Sequence, residues 1–179
     1  MRCWLLVMIL LTSVTLCSAC HAESPVVVDM TTPTPHTFSQ WASAAEASSQ
    51  FGFPDWGVTR ATGAPEIQTC KDDSRAWSSA LGSGVEWLRL TYSRPVYATE
   101  VRVYQNYGRG AISRVSLIDE TGTVQRIWEG TDTEQPCPGA LMVSVPQTSV
   151  RIVGVLIDLD ESRTGFWNQI DAVELIGVR

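Results

Sequence analysis

Ile170-Asp-Ala-Val-Glu-Leu-Ile176, near the end of a 179-residue chain, is the stretch whose reading decides the fold. Read as a β-strand, it sends residues 170, 172, 174 and 176 to one face and 171, 173 and 175 to the other, because strand side chains alternate. Both sets are mainly apolar, so both faces are expected to be covered. Each also carries a carboxylate, Asp171 or Glu174, and a buried carboxylate without partners costs several kcal/mol. Glu174 is therefore expected to be mostly buried beside an Arg, backbone N–H groups, or a structural Ca²⁺. Calcium takes roughly 6–8 oxygen ligands, many of them loop carbonyls. The Gly/Asp/Ser-rich stretch from Ala61 to Ser74 is the candidate source, giving a metal set of Gly63, Asp72, Ser74 and Glu174.

Working outward from that strand, most of the chain reads as short strands punctuated by turn residues. Val85-Glu-Trp-Leu-Arg-Leu90, Val101-Arg-Val-Tyr104 and Arg114-Val-Ser-Leu117 are expected strands, the last followed by an Asp119-Glu-Thr-Gly122 turn. Val124–Trp128, Leu141–Val145, Val150–Leu159 and Ile170–Val178 complete the set. Pro95, Pro146 and Gly165 fall between runs, where breakers belong. Only Ser39–Ser49, rich in Ala, reads as helical. Strands at this spacing without intervening helical patterns predict an all-β sandwich or barrel.

The first residues read as an export signal. Arg2 precedes an apolar run from Trp4 to Leu16 that is too short for a membrane span of about 20 residues. Processing after Ala22 fits a small-x-small site. Cys17-Ser-Ala-Cys20 instead resembles a lipobox and makes Cys20 the lipidation site, so a lipid anchor is the one expected link to a membrane. Residues 23–37, with Pro25, Pro33 and Pro35 among threonines, read as an extended linker. Residues 38–179 form the expected domain, in the cell envelope or secreted.

Charge and cysteines narrow the function. The net charge is −6 and Lys71 is the sole lysine, so nothing suits the phosphates of nucleic acid. After processing, Cys70 and Cys137 remain, 67 positions apart, and a disulfide is the default in an oxidising compartment. The chain-entropy model assigns such a loop about 4 kcal/mol. His36, between Pro35 and Thr37, is the only histidine left, which leaves a nucleophilic triad without a base and zinc without ligands. Paired acids, Asp72/Asp73 or Asp158/Asp160/Glu161, are the remaining catalytic option. A non-catalytic binding module is the preferred reading.

The tryptophans divide by position. Trp87 and Trp128 lie in strands and are expected in the core, while Trp77 and Trp167 flank loops at the ends of the sandwich. Trp56, in Gly52-Phe-Pro-Asp-Trp-Gly57, sits in a turn-like loop, packed beneath it or free to stack on a sugar ring.

A family resemblance rests on these residues. Ser48-Ser-Gln-Phe-Gly52, Ala61-Thr-Gly-Ala-Pro65, Ala76-Trp77 and Glu86-Trp-Leu-Arg-Leu90 occur in order. They are followed by Pro95–Tyr104, Gly110–Asp119, Trp128-Glu-Gly130 and Trp167–Gly177. The series is similar to the discoidin-like domain of pappalysins and of an F-box leucine-rich-repeat protein. Those are distant relatives of coagulation-factor type C domains and galactose-binding modules. The resemblance implies a jelly-roll β-sandwich of about eight strands whose loops at one end bind a glycan or an envelope or extracellular protein. It also implies the calcium loop and its Glu174. The candidate ligand contacts are Trp56, Tyr107 and Arg109.

Overall fold

The computed structural model describes residues 36–133 and 135–179. The expected export segment with Cys20, and residues 23–35 of the expected linker, lie outside the described residues. Among the described residues, nine strands form two antiparallel sheets: β1 (Thr37–Trp41), β2 (Ala44–Ala47), β3 (Trp77–Ser78), β4 (Val85–Tyr107), β5 (Ile112–Asp119), β6 (Val124–Glu129), β7 (Gly139–Ser144), β8 (Ile152–Asp160) and β9 (Gln169–Val178). One sheet orders β1-β9-β4-β7, with β3 also on β9; the other orders β2-β4-β8-β5-β6.

The strand β4 belongs to both sheets. The two expected strands at Val85–Leu90 and Val101–Tyr104 are parts of one 23-residue element. Its first part pairs with β8, and its second part pairs with β9 and β7. The changeover coincides with a break in register between Thr91 and Val96. Pro95 sits there, in the kind of irregular position that tolerates a residue with no N–H to donate. A proline that separates two strands and one that bends a single strand look alike in sequence.

The core lies between the sheets. Leu88, Leu90, Val101 and Val103 of β4 meet Val115 and Leu117 of β5, Val155, Ile157 and Leu159 of β8, and Val173 and Leu175 of β9. The same alternation turns Trp87 outward beside buried Leu88, leaving it 39 % exposed, so the expectation that Trp87 is core is corrected. Trp128 is half-buried against the core, and Trp77 is fully buried with its indole N–H donating to Ser49 O at 3.1 Å.

Two further expectations are revised. Ser39–Ser49 is not a helix: β1, which begins at Thr37, pairs with β9, and β2 pairs with β4. Ala45 and Ala47 pack on the core while Ala44 and Glu46 face out, so strand pairing overrides the helical preference of alanine. The strict alternation of the final strand is broken as well. Tyr104 pairs with Ala172 and Gln105 with Ile170, leaving Asp171 as an extra residue in β9. Ile170 thus joins Val173 and Leu175 in the core rather than sharing a face with Glu174.

Candidate functional site

At one end of the sandwich, the loop before β3, the end of β4 and the segment leading into β9 enclose a cavity of about 370 Å³. Five aromatic side chains line it, Phe51, Trp56, Tyr107, Phe166 and Trp167, together with Asp72, Ser78 and Gln169. Neighbouring rings meet edge to face, with centroids 5.4 Å apart for Phe51–Trp56, 5.9 Å for Phe51–Trp167 and 5.6 Å for Tyr107–Phe166. Phe51 and Phe166 remain about half exposed at 53 % and 49 %, so the rings rim an opening instead of closing a core.

Local backbone chemistry holds the rim in place. Trp56 adopts φ 53°, a left-handed conformation that a bulky side chain rarely takes. Its N–H donates to Ser74 O at 2.9 Å and its carbonyl accepts from Ser78 N at 3.2 Å, which over-determines that conformation. Its indole N–H donates to Asp72 Oδ1 at 2.9 Å. On the other side the chain turns at Gly108, φ 57°, where a Cβ would lie 1.9 Å from Trp167 O. Only glycine permits that approach.

Gln169, the first residue of β9, ties the floor together. Its side-chain oxygen accepts from Asp73 N and from Asn106 Nδ2, each at 3.0 Å, and its Nε2 donates to Asp72 Oδ1 at 2.6 Å. The adjacent acids are treated differently. Asp73 is held by Arg75 at 2.8 Å and Lys71 at 3.5 Å, and the hydrogen bonds from Arg75 keep its carboxyl far below the usual carboxylate range. Asp72 is exposed on the cavity and has no basic partner among the described residues.

Behind the cavity runs a buried chain of polar side chains. Asn168 Nδ2 donates to Gln105 Oε1 at 2.7 Å, Gln105 Nε2 to Asp132 Oδ2 at 2.7 Å, and Arg109 Nη2 to Asp132 Oδ1 at 3.2 Å. Glu161, fully buried, accepts from Asn168 N and from Ser79 Oγ, each at 3.0 Å. Burial pushes its carboxyl up to about 7. Hydroxyl bookkeeping agrees. Ser79 has one proton, yet its Oγ also lies 2.9 Å from Leu81 O. A protonated Glu161 donates to Ser79, which then donates to Leu81, so the carboxyl and the hydroxyl each have a partner for their proton.

The expected site residues scatter more than the resemblance implied. Trp56 and Tyr107 do line the cavity, but Arg109 does not: it is 4 % exposed, pairs with Asp132 and donates to Pro136 O. The proposed calcium ligands fail to converge. Gly63 donates its N–H to Ala42 O, Ser74 O is taken by Trp56, and Asp72 belongs to the cavity. Glu174 stands five positions beyond Gln169, about 16 Å along a strand that rises about 3.3 Å per residue. Calcium ligands must all lie within about 2.6 Å of one point. Among the described residues, moreover, no three His, Cys, Asp or Glu side chains gather at a metal-binding distance.

Glu174 finds a different environment. It is 7 % exposed, accepts hydrogen bonds from Ser39 Oγ and from Tyr104 OH, and lies 3.6 Å from Arg102 Nη1. Asp171, 3 % exposed, takes the backbone solution and accepts from Glu66 N and Ile67 N, both at 2.9 Å. The disulfide Cys70–Cys137 is formed, joining the loop that carries Asp72 to the start of β7. Phe51 and Phe166 escaped the sequence reading, although aromatics beside Gly52 and Gly165 were a usable signal. Gln169 gave none, since its role depends on residues 63 and 97 positions away.

Comparison with known proteins places the chain. Residues 32–179 match the family model "Pappalysin-1, SD scarf domain, C-terminal". No match is found among the curated proteins. Among solved structures, the chain is similar to the chitosan-binding module 1 of a chitosanase/glucanase from Paenibacillus sp. IK-5, with 15% identity, TM-score 0.55, and coverage of 74% of this chain and 92% of that one. It is also similar to the family 32 carbohydrate-binding module of C. perfringens NanJ in complex with galactose, at 14% identity, TM-score 0.57 and coverage of 78% and 99%. A third is the carbohydrate-binding module of AlyQ in complex with 4,5-unsaturated mannuronic acid, at 19% identity, TM-score 0.56 and coverage of 77% and 97%. These likenesses establish the fold, and the match over residues 32–179 establishes that the chain belongs to the pappalysin-1 SD scarf domain family, with a discoidin-like β-sandwich.

Proposed function

We propose that this protein is an exported, non-catalytic module that binds a glycan in the aromatic-rimmed cavity at the end of the sandwich. The observation that carries the reading is the composition of that cavity. Five rings offer apolar faces for a sugar ring, and Asp72, Ser78 and Gln169 offer hydrogen bonds for its hydroxyls. Its volume of about 370 Å³ falls in the range of small-molecule sites. The similar modules that bind chitosan, galactose or an unsaturated uronic acid support the class of ligand. Export is supported by the Arg2–Leu16 segment and by the disulfide, which suits an oxidising compartment. Lipidation at Cys20 would hold the module at a membrane.

A hydrolase using paired carboxylates has less to work with. Such chemistry needs two acids facing one bond, about 5–9.5 Å apart. Among the described residues the cavity is lined by a single carboxylate, Asp72, while Asp73 is bound to Arg75 and Lys71. Of the other candidates, Asp158 faces Arg114, Asp160 accepts from Ser162 and faces Arg163, and Glu161 is buried.

The test is a glycan array followed by calorimetry on the disulfide-bonded protein. Trp56→Ala should weaken a captured glycan at least about tenfold, about 1.4 kcal/mol, with the disulfide and the melting transition retained. A glycan bound equally well by the Trp56→Ala and Tyr107→Ala variants would place recognition elsewhere. Sugar turnover lost in Asp72→Asn would replace the binding reading with a catalytic one.

A further inference from the structure

We infer that the cavity selects cationic sugars, those carrying a free ammonium group on the ring, over neutral and anionic ones. This rests on the glycan-binding reading of the same cavity and names the ligand class within it.

The inference comes from an imbalance of charge. Asp72 and Asp73 are neighbours in one loop that also carries Lys71 and Arg75. Both cations went to Asp73, which is nearly buried, at 3.5 Å and 2.8 Å. Asp72 lines the cavity instead, and its Oδ1 is fixed there by the indole N–H of Trp56 at 2.9 Å and by Gln169 Nε2 at 2.6 Å. Its Oδ2 has no hydrogen-bond or ion-pair partner among the described residues. The two donors orient the carboxylate without neutralising it, because both are uncharged.

Among the described residues, the rest of the lining carries no Lys, Arg, His or second carboxylate, and five aromatic rings contribute to it. Aromatic faces present the negative side of the ring quadrupole and attract cations within about 6 Å. One fixed, unpaired carboxylate among aromatic rings is therefore a cation site by two independent terms. A uronate would place its own carboxylate against Asp72 with nothing to compensate it, and like charges so placed are repelled. An N-acetylated amino sugar keeps the ring but loses the charge. It should be tolerated without being favoured.

The experiment is titration calorimetry of the full-length, disulfide-bonded protein with four oligosaccharides of matched length: glucosamine, N-acetylglucosamine, galactose and galacturonic acid. The glucosamine oligomer should bind at least about tenfold more tightly than the N-acetylated one, equivalent to about 1.4 kcal/mol. The galacturonic acid oligomer should bind weakest. Asp72→Asn keeps the acceptor for Trp56 and Gln169. It should erase the preference for glucosamine, whose affinity should fall by at least about tenfold and by more than that of the neutral sugars. Raising the salt concentration should narrow the preference in the wild type and do nothing in Asp72→Asn. Neutral or acidic oligomers bound as tightly as glucosamine, or a preference that survives Asp72→Asn, would overturn the inference and leave glycan binding standing. Failure of every oligomer to bind in a Trp56-dependent manner would remove the glycan reading itself.

Discussion

The two ends of β9 make opposite use of buried polarity. At its start, Gln169 shares its hydrogen bonds with Asp72, Asp73 and Asn106 and holds one carboxylate open to a cavity. Five residues on, Glu174 is surrounded by Ser39, Tyr104 and Arg102, and both its oxygens have hydroxyl partners. Glu174 lies on strand-to-strand pairs, whose register brings matching groups face to face. Asp72 lies on a loop, where the backbone can present a side chain without enclosing it. Glu174 is enclosed by the sheet, whereas Asp72 stays open to the cavity although its loop neighbour Asp73 is paired with Arg75 and Lys71.

That contrast can be broken most directly at the buried ion pair behind the cavity. Arg109 and Asp132 have side chains only 1 % exposed. Asp132→Ala would strand the guanidinium, and breaking a buried pair in this way typically costs about 3–5 kcal/mol. Because Asp132 also accepts a hydrogen bond from Gln105 Nε2, and the Gln105 side-chain oxygen holds Asn168 beside Trp167, glycan affinity should fall along with the melting temperature. A fall in melting temperature with affinity unchanged would show that the network and the cavity are independent.

Glu161 sharpens the comparison through pH. Its carboxyl titrates at about 7 in the folded protein against an ordinary 4.5, so the unfolded chain releases the proton first as pH rises. Its contribution is complete below about pH 4.5 and is lost as pH rises to about 7, a span worth about 3 kcal/mol. Glu161→Gln mimics the protonated form, with an amide able to donate to Ser79. Its melting temperature should match the wild type near about pH 4.5 and exceed it increasingly towards about pH 8. A gap that stays constant over this range would mean that Glu161 is ionised throughout.

The smallest effect is expected at the other end of the strand. Glu174→Gln keeps the shape and one acceptor, while Arg102 retains Glu100 at 2.8 Å. The loss should be about 1.5 kcal/mol, the scale of one charge-assisted hydrogen bond. Glycan affinity should not change. Melting should be indifferent to calcium and to chelator, because Asp72 is held at the cavity while Glu174 lies far along β9. A calcium-dependent rise abolished by Glu174→Gln would restore a cation to this position.

Much of the fold was legible from residue order because it depends on local periodicity. Leu88/Leu90, Val115/Leu117 and Val173/Leu175 alternate as half-buried strands must, and the motif series from Ser48 to Gly177 identified the discoidin-like sandwich before any coordinates. The pairing of Cys70 with Cys137 followed from a count. Errors arose where periodicity was ambiguous. Alanines in Ser39–Ser49 suit either a helix or an edge strand, and Pro95 marks a bend as readily as an end.

The site was less legible, because what it needs is long-range. Trp56 was visible as an aromatic in a turn-like loop and Tyr107 was named beside it as a candidate contact, whereas Arg109, also read as a ligand contact, is buried against Asp132. Nothing in Asp72-Asp73 says which acid takes Arg75 and which is left to the cavity. Sequence alone determined the β-sandwich class, most of its core-facing residues and the disulfide, all of which follow from composition and nearest-neighbour pattern. Only the tertiary structure decided which carboxylates are consumed and which remain free, because a charge is satisfied by whatever the folded chain brings within about 3–4 Å of it, and those partners lie up to 135 positions away.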